Sequence, residues 1–597
     1  MNHIKRILMT LLALITFTGS WAIEQDADGY YLIGSVQDWK DFSALVQSTP
    51  AINARMTADI DLGDDQTVIG SPINGGQNWY QGTFDGDGHT LTIAYNNTSG
   101  EVFTTPFSLI QGATIKNLHL DGTVHTVYAY GGSIASIGRG SNTLKNIWNS
   151  VSSVCEMGGW VQMGTLFGVL DSGASLDVSD CLFTGSMSHN GAYCGYFTGC
   201  YGPGPKVSDC LVLGEFTGGY GFNGSFTNCY LKHASTEGVT IPTDEQLADG
   251  TIAAALGDAW VQDPVTNQPM LKLFVSLKQD ADGYYEIGSV QDWQNFAKLV
   301  ENTPNANAKM TADIDLGDDQ TVIGARTVST TAYSLGSGSH YSGVFDGQGQ
   351  TLTVAYKATG TDSASPFSSI EGATIKNLHV AGTMVSPKAC GAGVASATGG
   401  TGNLIQNVWV SATITGNGQD WNCSAGIVGC VKNGSVTIND CMFTGSVTSS
   451  QSHNGCFVGY IDSGSAAINN SLSTGTFSYG HCAFQGTHVK CYVKSFPVAY
   501  PTGVTQPTDD ELSNGTTTAA LNADRTGDEA PWVQQGDQPM LKVFASEGGI
   551  ITGIDNGQRS KGIGQRDGWY TIDGRKLYGK PTKKGIYINN GNKVVIK

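Results

Sequence analysis

The densest group of residues able to do chemistry is a run of carboxylates, Asp59, Asp61, Asp64 and Asp65, which returns as Asp313, Asp315, Asp318 and Asp319. Two carboxylates about 5 to 9 Å apart can hydrolyse a glycosidic bond, and several hard oxygens together can hold Ca²⁺. Strand alternation places Asp59 and Asp61 opposite Ile60 and Leu62, which is how any solvated strand face reads. Asp87 and His89 in one copy become Gln348 and Gln350 in the other, so a metal loop or catalytic pair needed in both is not expected there. His119 and His379 persist, but neither has an Asp, Ser or Cys partner at a recognisable catalytic spacing. Trp79 and Tyr80 against Tyr341, with Trp160 and Trp421 in Gly- and Asn-rich stretches, could stack on sugar rings, although core or loop packing is the more common fate of such residues. No phosphate loop, zinc spacing or nucleophile elbow stands out. No catalytic, cofactor-binding or metal residue is therefore assigned. No cofactor is expected, and Ca²⁺ at the Asp run is the one ion these side chains suit.

The 13 Cys are an odd number. Cys181, Cys210, Cys229, Cys441 and Cys491 recur at one place in a repeated pattern, so they read as stacked core thiols rather than a disulfide framework.

These residues must be positioned by a chain too long, at 597 residues, for one ordinary globular core. Its 80 Gly and 17 Pro against 14% charged residues suit short strands joined by many tight turns. Gln25-DADGYYLIGSVQDW-Lys40 returns as Gln279-DADGYYEIGSVQDW-Gln294, and Met56-TADIDLGDDQTVIG-Gly70 as Met310-TADIDLGDDQTVIG-Gly324, both offset by 254 residues. Insertions such as 327–338 account for later drift. Each copy opens on a helix signature, with Ser35 as cap, Asp38 at the capping-box position and Trp39, Phe42 and Val46 as an apolar stripe. In the second copy the stripe is Trp293, Phe296 and Val300. Such a helix can cover the open end of a repeat core. Each copy also closes alike, around Pro242 to Leu271 and Pro507 to Leu541.

Between these segments a smaller unit, apolar-x-[Asn/Asp]-apolar, places Asn117, Asn146, Asp180, Asp209 and Asn228 at spacings of 29, 34, 29 and 19. The second copy has Asn377, Asn407, Asp440, Asn470 and Lys490 at 30, 33, 30 and 20. Spacings that rise and fall in step predict successive coils of a solenoid. Asn and Asp tolerate a left-handed bend, and stacked amides can hydrogen-bond along the axis. The expected fold is all-β: two tandem right-handed, pectate-lyase-like parallel β-helices, each with a short N-terminal capping helix, plus a small C-terminal β-module. The expected segments are a signal peptide at 1–22, β-helices at 23–275 and 276–545, a linker at 546–566 and a tail at 567–597. A β-propeller would need longer, more even repeats.

Lys5 and Arg6, the apolar run from Ile7 to Phe17 and Ser20-Trp21-Ala22 form the secretory signature. Residues 1–22 carry +2 and residues 551–597 carry +7, leaving −28 of the net −19 for residues 23–550. An acidic body repels nucleic acid and anionic headgroups.

Gly426-Ile-Val-Gly429, Cys456-Phe-Val-Gly459 and Thr165-Leu-Phe-Gly168, each followed by a Gly/Ser-rich turn, resemble the Gly-Leu-Val-Gly (GLUG) repeat of bacterial adhesin-like β-helix proteins. The resemblance covers roughly residues 30–272 and 284–543. The tail, Gly568-Trp-Tyr-Thr-Ile-Asp-Gly-Arg-Lys-Leu577 through Lys597, is similar to the C-terminal sorting domains of the type IX secretion pathway. These resemblances imply a secreted protein on the outer surface of a Gram-negative cell, sorted at the outer membrane through its tail. The expected function is adhesin-like binding of extracellular glycan or protein through the solenoid flank, with no nucleic acid partner. The competing expectation is a secreted polysaccharide lyase or glycoside hydrolase. A lyase needs a poised base, and the 20 Lys and Arg of residues 23–550 form no evident cluster, so binding is preferred to catalysis.

Overall fold

The computed structural model describes residues 23–545 except 71, 74–75, 98–104, 128–129, 201, 325–327, 330–333, 336–339, 360–362, 387–389, 417–422, 450–451, 479–480 and 524, and in the tail residues 569–571, 576–577, 585–589 and 592–596. The expected signal peptide (1–22) and linker (546–566), most of the 327–338 insertion and Trp421 thus lie outside the described residues. The chain divides into two compact units, Met1–Ser276 and Leu277–Lys597.

Each unit is a parallel β-solenoid. In the first, the chain returns to one sheet coil after coil through Tyr31–Ile33, Ala54–Met56, Thr83–Asp85, Thr114–Thr126, Ser141–Asn149 and Ser175–Phe183. The register sets like on like, so that Phe84, Ile115, Leu144, Val178 and Val207 form one buried column. Phe345, Ile375, Ile405, Ile438 and Ile468 do the same in the second unit. Burial of each such side chain stabilises the coil by roughly 1.5 to 3 kcal/mol.

What turns the chain out of this sheet is the residue that follows. Asn117, Asn146, Asp180, Asp209, Asn228, Asn377, Asn407, Asp440 and Asn470 all have φ between 48° and 56°, and Lys490 joins them at 50°. Their amides form part of a ladder. Asn146 Nδ2 donates to Asn117 Oδ1 at 2.8 Å, and Asn117 Nδ2 donates to Asp85 Oδ1 at 2.9 Å. The second unit repeats both bonds, from Asn407 to Asn377 and from Asn377 to Asp346. Burial alone would raise the Asp85 carboxyl; hydrogen bonds from Asn117 and Lys116 outweigh it and hold it below the usual carboxylate range.

The opening helices are Val36–Ser48 and Val290–Asn302. Ser35 caps the first, while Asp38 Oδ2 reaches past the cap backbone to accept from Gly34 N and from Ser35 Oγ. Trp39, Phe42 and Val46 are fully buried. The Trp39 ring meets Phe84 and Phe107 edge-on at 5.8 and 5.9 Å, closing the end of the coil stack. Trp293 packs on Phe345 and Phe367 in the same way.

The segments Thr165–Gly168 and Gly426–Gly429 owe their last glycine to crowding. A Cβ on Gly168 would sit 2.5 Å from Ser136 O, and one on Gly429 2.5 Å from Ser396 O, so neighbouring coils approach backbone to backbone at this corner. In the tail, Trp569–Thr571, Lys576–Leu577, Gly585–Asn589 and Asn592–Ile596 pair as an antiparallel four-stranded sheet.

Replacing Asn146 by Ala removes both a rung and the residue type that tolerates the left-handed bend, and is expected to cost about 2 kcal/mol. Lys490→Asn is expected to act in the opposite direction, raising the unfolding midpoint. Urea unfolding of the full chain measures both.

Candidate ligand-binding clefts

The aspartate run is built into turns. Asp61 Oδ1 accepts from Gly63 N at 2.8 Å, and Asp65 Oδ1 from Thr67 N at 2.8 Å. Asp59 Oδ1 bridges to the next coil through Thr90 N at 2.9 Å and His89 Nδ1 at 3.1 Å. Asp65 also pairs with Lys40 at 2.5 Å. The second unit keeps the turn bonds through Asp315 and Asp319, and Asp313 accepts from Thr351 N. Among the described residues, the set that brings three possible metal-ligating atoms within 4.8 Å of one another is Cys390, Cys423 and Cys430 rather than these carboxylates.

Three of the aromatic candidates take the packing fate expected of most such residues. Tyr80 and Tyr341 are fully buried core residues against Phe42 and Phe296, and Trp79 is 6% exposed beneath the Arg139 guanidinium, 4.2 Å from its ring centroid. None of the three offers a free face to a sugar. The Trp160 side chain and Trp421 lie outside the described residues.

His119 and His379 do have partners, which tertiary stacking supplies. His119 lies flat on Trp148 with ring centroids 3.7 Å apart, Nδ1 3.0 Å from Thr90 Oγ1 and Nε2 3.0 Å from Ser150 Oγ. His379 repeats this on Trp409 with Thr351 and Ser411. The set is no catalytic triad. Asp121 accepts a hydrogen bond from Ser150 and acts on His119 through its charge, and the second unit has Ala381 in its place. Burial pushes His119 down to about 4, so it stands neutral.

Trp148 and Trp409 mark a feature that the repeat pattern did not predict. The closing segment does not cap the far end; it folds back along the solenoid flank. In the first unit Leu247, Leu256, Trp260 and Leu271 pack on Leu182, Leu211, Trp148 and Tyr230. In the second, Leu512, Leu521, Trp532 and Leu541 pack on Met442, Leu472, Trp409 and Tyr492. The legible signal was an apolar residue two places after the Asn or Asp bend, as at Leu182, Leu211, Met442 and Leu472, where strand alternation calls for a polar one.

Between this flank layer and the Asn/Asp bends each unit holds a cleft. The first, of about 500 Å³, is lined by Asn117, Asn146, Asp180, Asp209, Lys145 and Asp258, a size that suits a small ligand or a long side chain. Lys145 Nζ is 3.9 Å from Asp180 and largely exposed. Burial raises the Asp180 carboxyl, Lys145 offsets part of the rise, and the charge on Asp209 adds to it. In the second unit ten residues separate Leu521 from Trp532 where three separate Leu256 from Trp260, and this extra loop brings in Arg525. Its guanidinium grips Asp440, the counterpart of Asp180, with Nη1 to Oδ2 at 2.8 Å and Nη2 to Oδ1 at 2.7 Å. Trp532 Nε1 adds a third bond to the same carboxylate, whose side chain is 3% exposed.

Cys181, Cys210, Cys229, Cys441 and Cys491, expected as core thiols, are buried free thiols. Cys181, Cys210 and Cys229 stack as a column, each thiol donating to the carbonyl two residues before it. Hydrogen bonds from Cys390 and Cys423 pull Cys430 well below the usual thiol range.

Because the folded value of His119 lies below the unfolded 6.5, the unfolded chain takes up the proton first. Stability is expected to fall as pH drops from about 6.5 to about 4 and to level off below. His119→Gln should flatten that slope by up to one proton in thermal unfolding across this range. Arg525→Gln leaves Asp440 buried without its cation and is expected to cost about 3 kcal/mol in urea unfolding, much of it regained in the Asp440→Asn, Arg525→Gln double variant.

No family model and no curated protein matches the chain. Among solved structures, that of a candidate immunoglobulin A1 protease from Bacteroides ovatus is similar to it, at 16% identity over 44% of this chain and 94% of that chain, with a TM-score of 0.31. So slight a likeness carries no argument about function.

Proposed function

We propose that this chain is a secreted, cell-surface, adhesin-like binding protein, and that the cleft of its first unit receives a basic side chain, arginine above all, from an extracellular protein ligand. The carrying observation is the pair of clefts. The carboxylate position that meets Arg525 of the same chain in the second unit faces an open space in the first. A guanidinium presents planar, bidentate donors to a carboxylate, and Asp180, Asp209 and Asp258 outnumber the one cation, Lys145. The acidic body of the chain draws cationic partners toward such a cleft and disfavours anionic glycans. The secretory signature, the GLUG-like segments and the sorting-like tail support export, display and membership of the adhesin-like β-helix group. The enzymatic reading has less support, since both persistent histidines are tied between hydroxyls and an indole.

Binding of an arginine-rich peptide to the full chain, measured by calorimetry beside a neutral peptide and a glycan array, tests the reading. Asp180→Asn is expected to weaken peptide binding at least tenfold, and lowering the pH to weaken it in the wild type. Equal affinity for the neutral peptide, or release of oligosaccharide from any polymer, would overturn it.

A further inference from the structure

Among the described residues, Cys390, Cys423 and Cys430 are the thiols that meet three together. Their sulfurs lie within 4.8 Å of one another, and the residues are 3%, 0% and 2% exposed. Two of them are stacked by register: Gly391 pairs with Ser424, which sets Cys390 beside Cys423 one coil away, and Gly391 N donates to Cys423 O at 3.0 Å. The third comes from the strand Val428–Asn439, seven residues after Cys423, where the chain turns the Gly429 corner. Gly429 is needed there. A Cβ would stand 2.8 Å from the Cβ of Cys390. The next coil closes the site with His453 and Tyr460, whose rings lie 4.3 Å apart and which follow Cys423 and Cys430 in register.

Neighbouring thiols of the column Cys181, Cys210 and Cys229 also hydrogen-bond, each donating as well to the carbonyl two residues back; among the described residues, three sulfurs mutually within 4.8 Å occur at Cys390, Cys423 and Cys430. Among the described residues of the first unit no three sulfurs come so close together, although Cys194 lies near both Cys155 and Cys200. There Cys155 and Cys194 pack among Val161, Met163 and Met187.

We propose that Cys390, Cys423 and Cys430 form a three-thiolate site for a soft, thiophilic cation of the Cu(I) class. Thiolate ligands suit Cu(I), Zn(II) and iron–sulfur clusters, but Zn(II) in a closed site takes four ligands and this set offers three. A three-coordinate ion with metal–sulfur bonds of about 2.3 Å sets its sulfurs about 4 Å apart, inside the spacing that the solenoid already imposes. Each sulfur that ligates releases its proton to water, and the copper keeps its oxidation state, so no electron donor is consumed. The site belongs to the second unit and is independent of the cleft in the first.

The test is competition for Cu(I) between the reduced full-length protein and bicinchoninate under anaerobic conditions. The wild type is expected to withdraw one more equivalent of copper than Cys390→Ser, Cys423→Ser or Cys430→Ser, while Cys181→Ser, a column thiol of the other unit, behaves as wild type. Far-ultraviolet circular dichroism of each variant separates lost ligation from lost folding. X-ray absorption of the loaded protein should report sulfur alone around copper. Equal copper uptake by the wild type and all three folded variants, uptake of Zn(II) but not Cu(I), or a disulfide among these three cysteines in the protein recovered from the growth medium would each overturn the proposal.

Discussion

The whole of each solenoid depends on one backbone constraint, a single left-handed residue placed where the chain must leave one sheet and enter the next. L-residues avoid this conformation at a cost of roughly 1 to 2 kcal/mol, and Asn and Asp meet it most easily. With φ held near 50° at Asn117, Asn146, Asp180, Asp209 and Asn228, the strand before the bend stacks in parallel register on its counterpart one coil away. Register then decides everything that stacking can supply. It aligns Phe84, Ile115, Leu144 and Val178 inside, links Asn146 to Asn117 and Asn117 to Asp85 at the edge, and lays His119 on Trp148 outside.

A second layer converts this repetitive scaffold into something with sites. Outward apolar residues such as Leu182 and Leu211 cannot be satisfied by a bare solenoid, so the closing helices and hairpin fold back over them. That cover runs beside the line of Asn and Asp bends, and the clefts are the space left between the two. Polar bends and an apolar cover together give a site with carboxylates on one wall and a closed flank on the other.

The two units show how one scaffold can hold two chemical states. A longer loop after Leu521 places Arg525 on Asp440, so the second cleft is internally neutralised by a bidentate pair. The shorter loop after Leu256 leaves Asp180 with Lys145 at 3.9 Å. Loop length, more than any change in the coils, separates a closed ion pair from an open acidic wall.

The amino-acid sequence by itself determined the duplication, the coil spacing, the left-handed positions down to Lys490, the capped opening helices and the core role of Cys181 and Cys210. These are local properties: a φ preference, a hydrophobic period and a capping side chain act within a few residues and repeat visibly along the chain. Only the tertiary structure decided that Tyr80 and Tyr341 lie in the core, that Trp79 lies under Arg139 and that His119 sits between Thr90 and Ser150. It also brought Arg525 to Asp440 across 85 residues and gathered Cys390, Cys423 and Cys430 at one corner. Those contacts join residues from different coils and from the folded-back flank layer, and their spacing is set by how the coils stack and by loop length, neither of which leaves a periodic mark in the sequence.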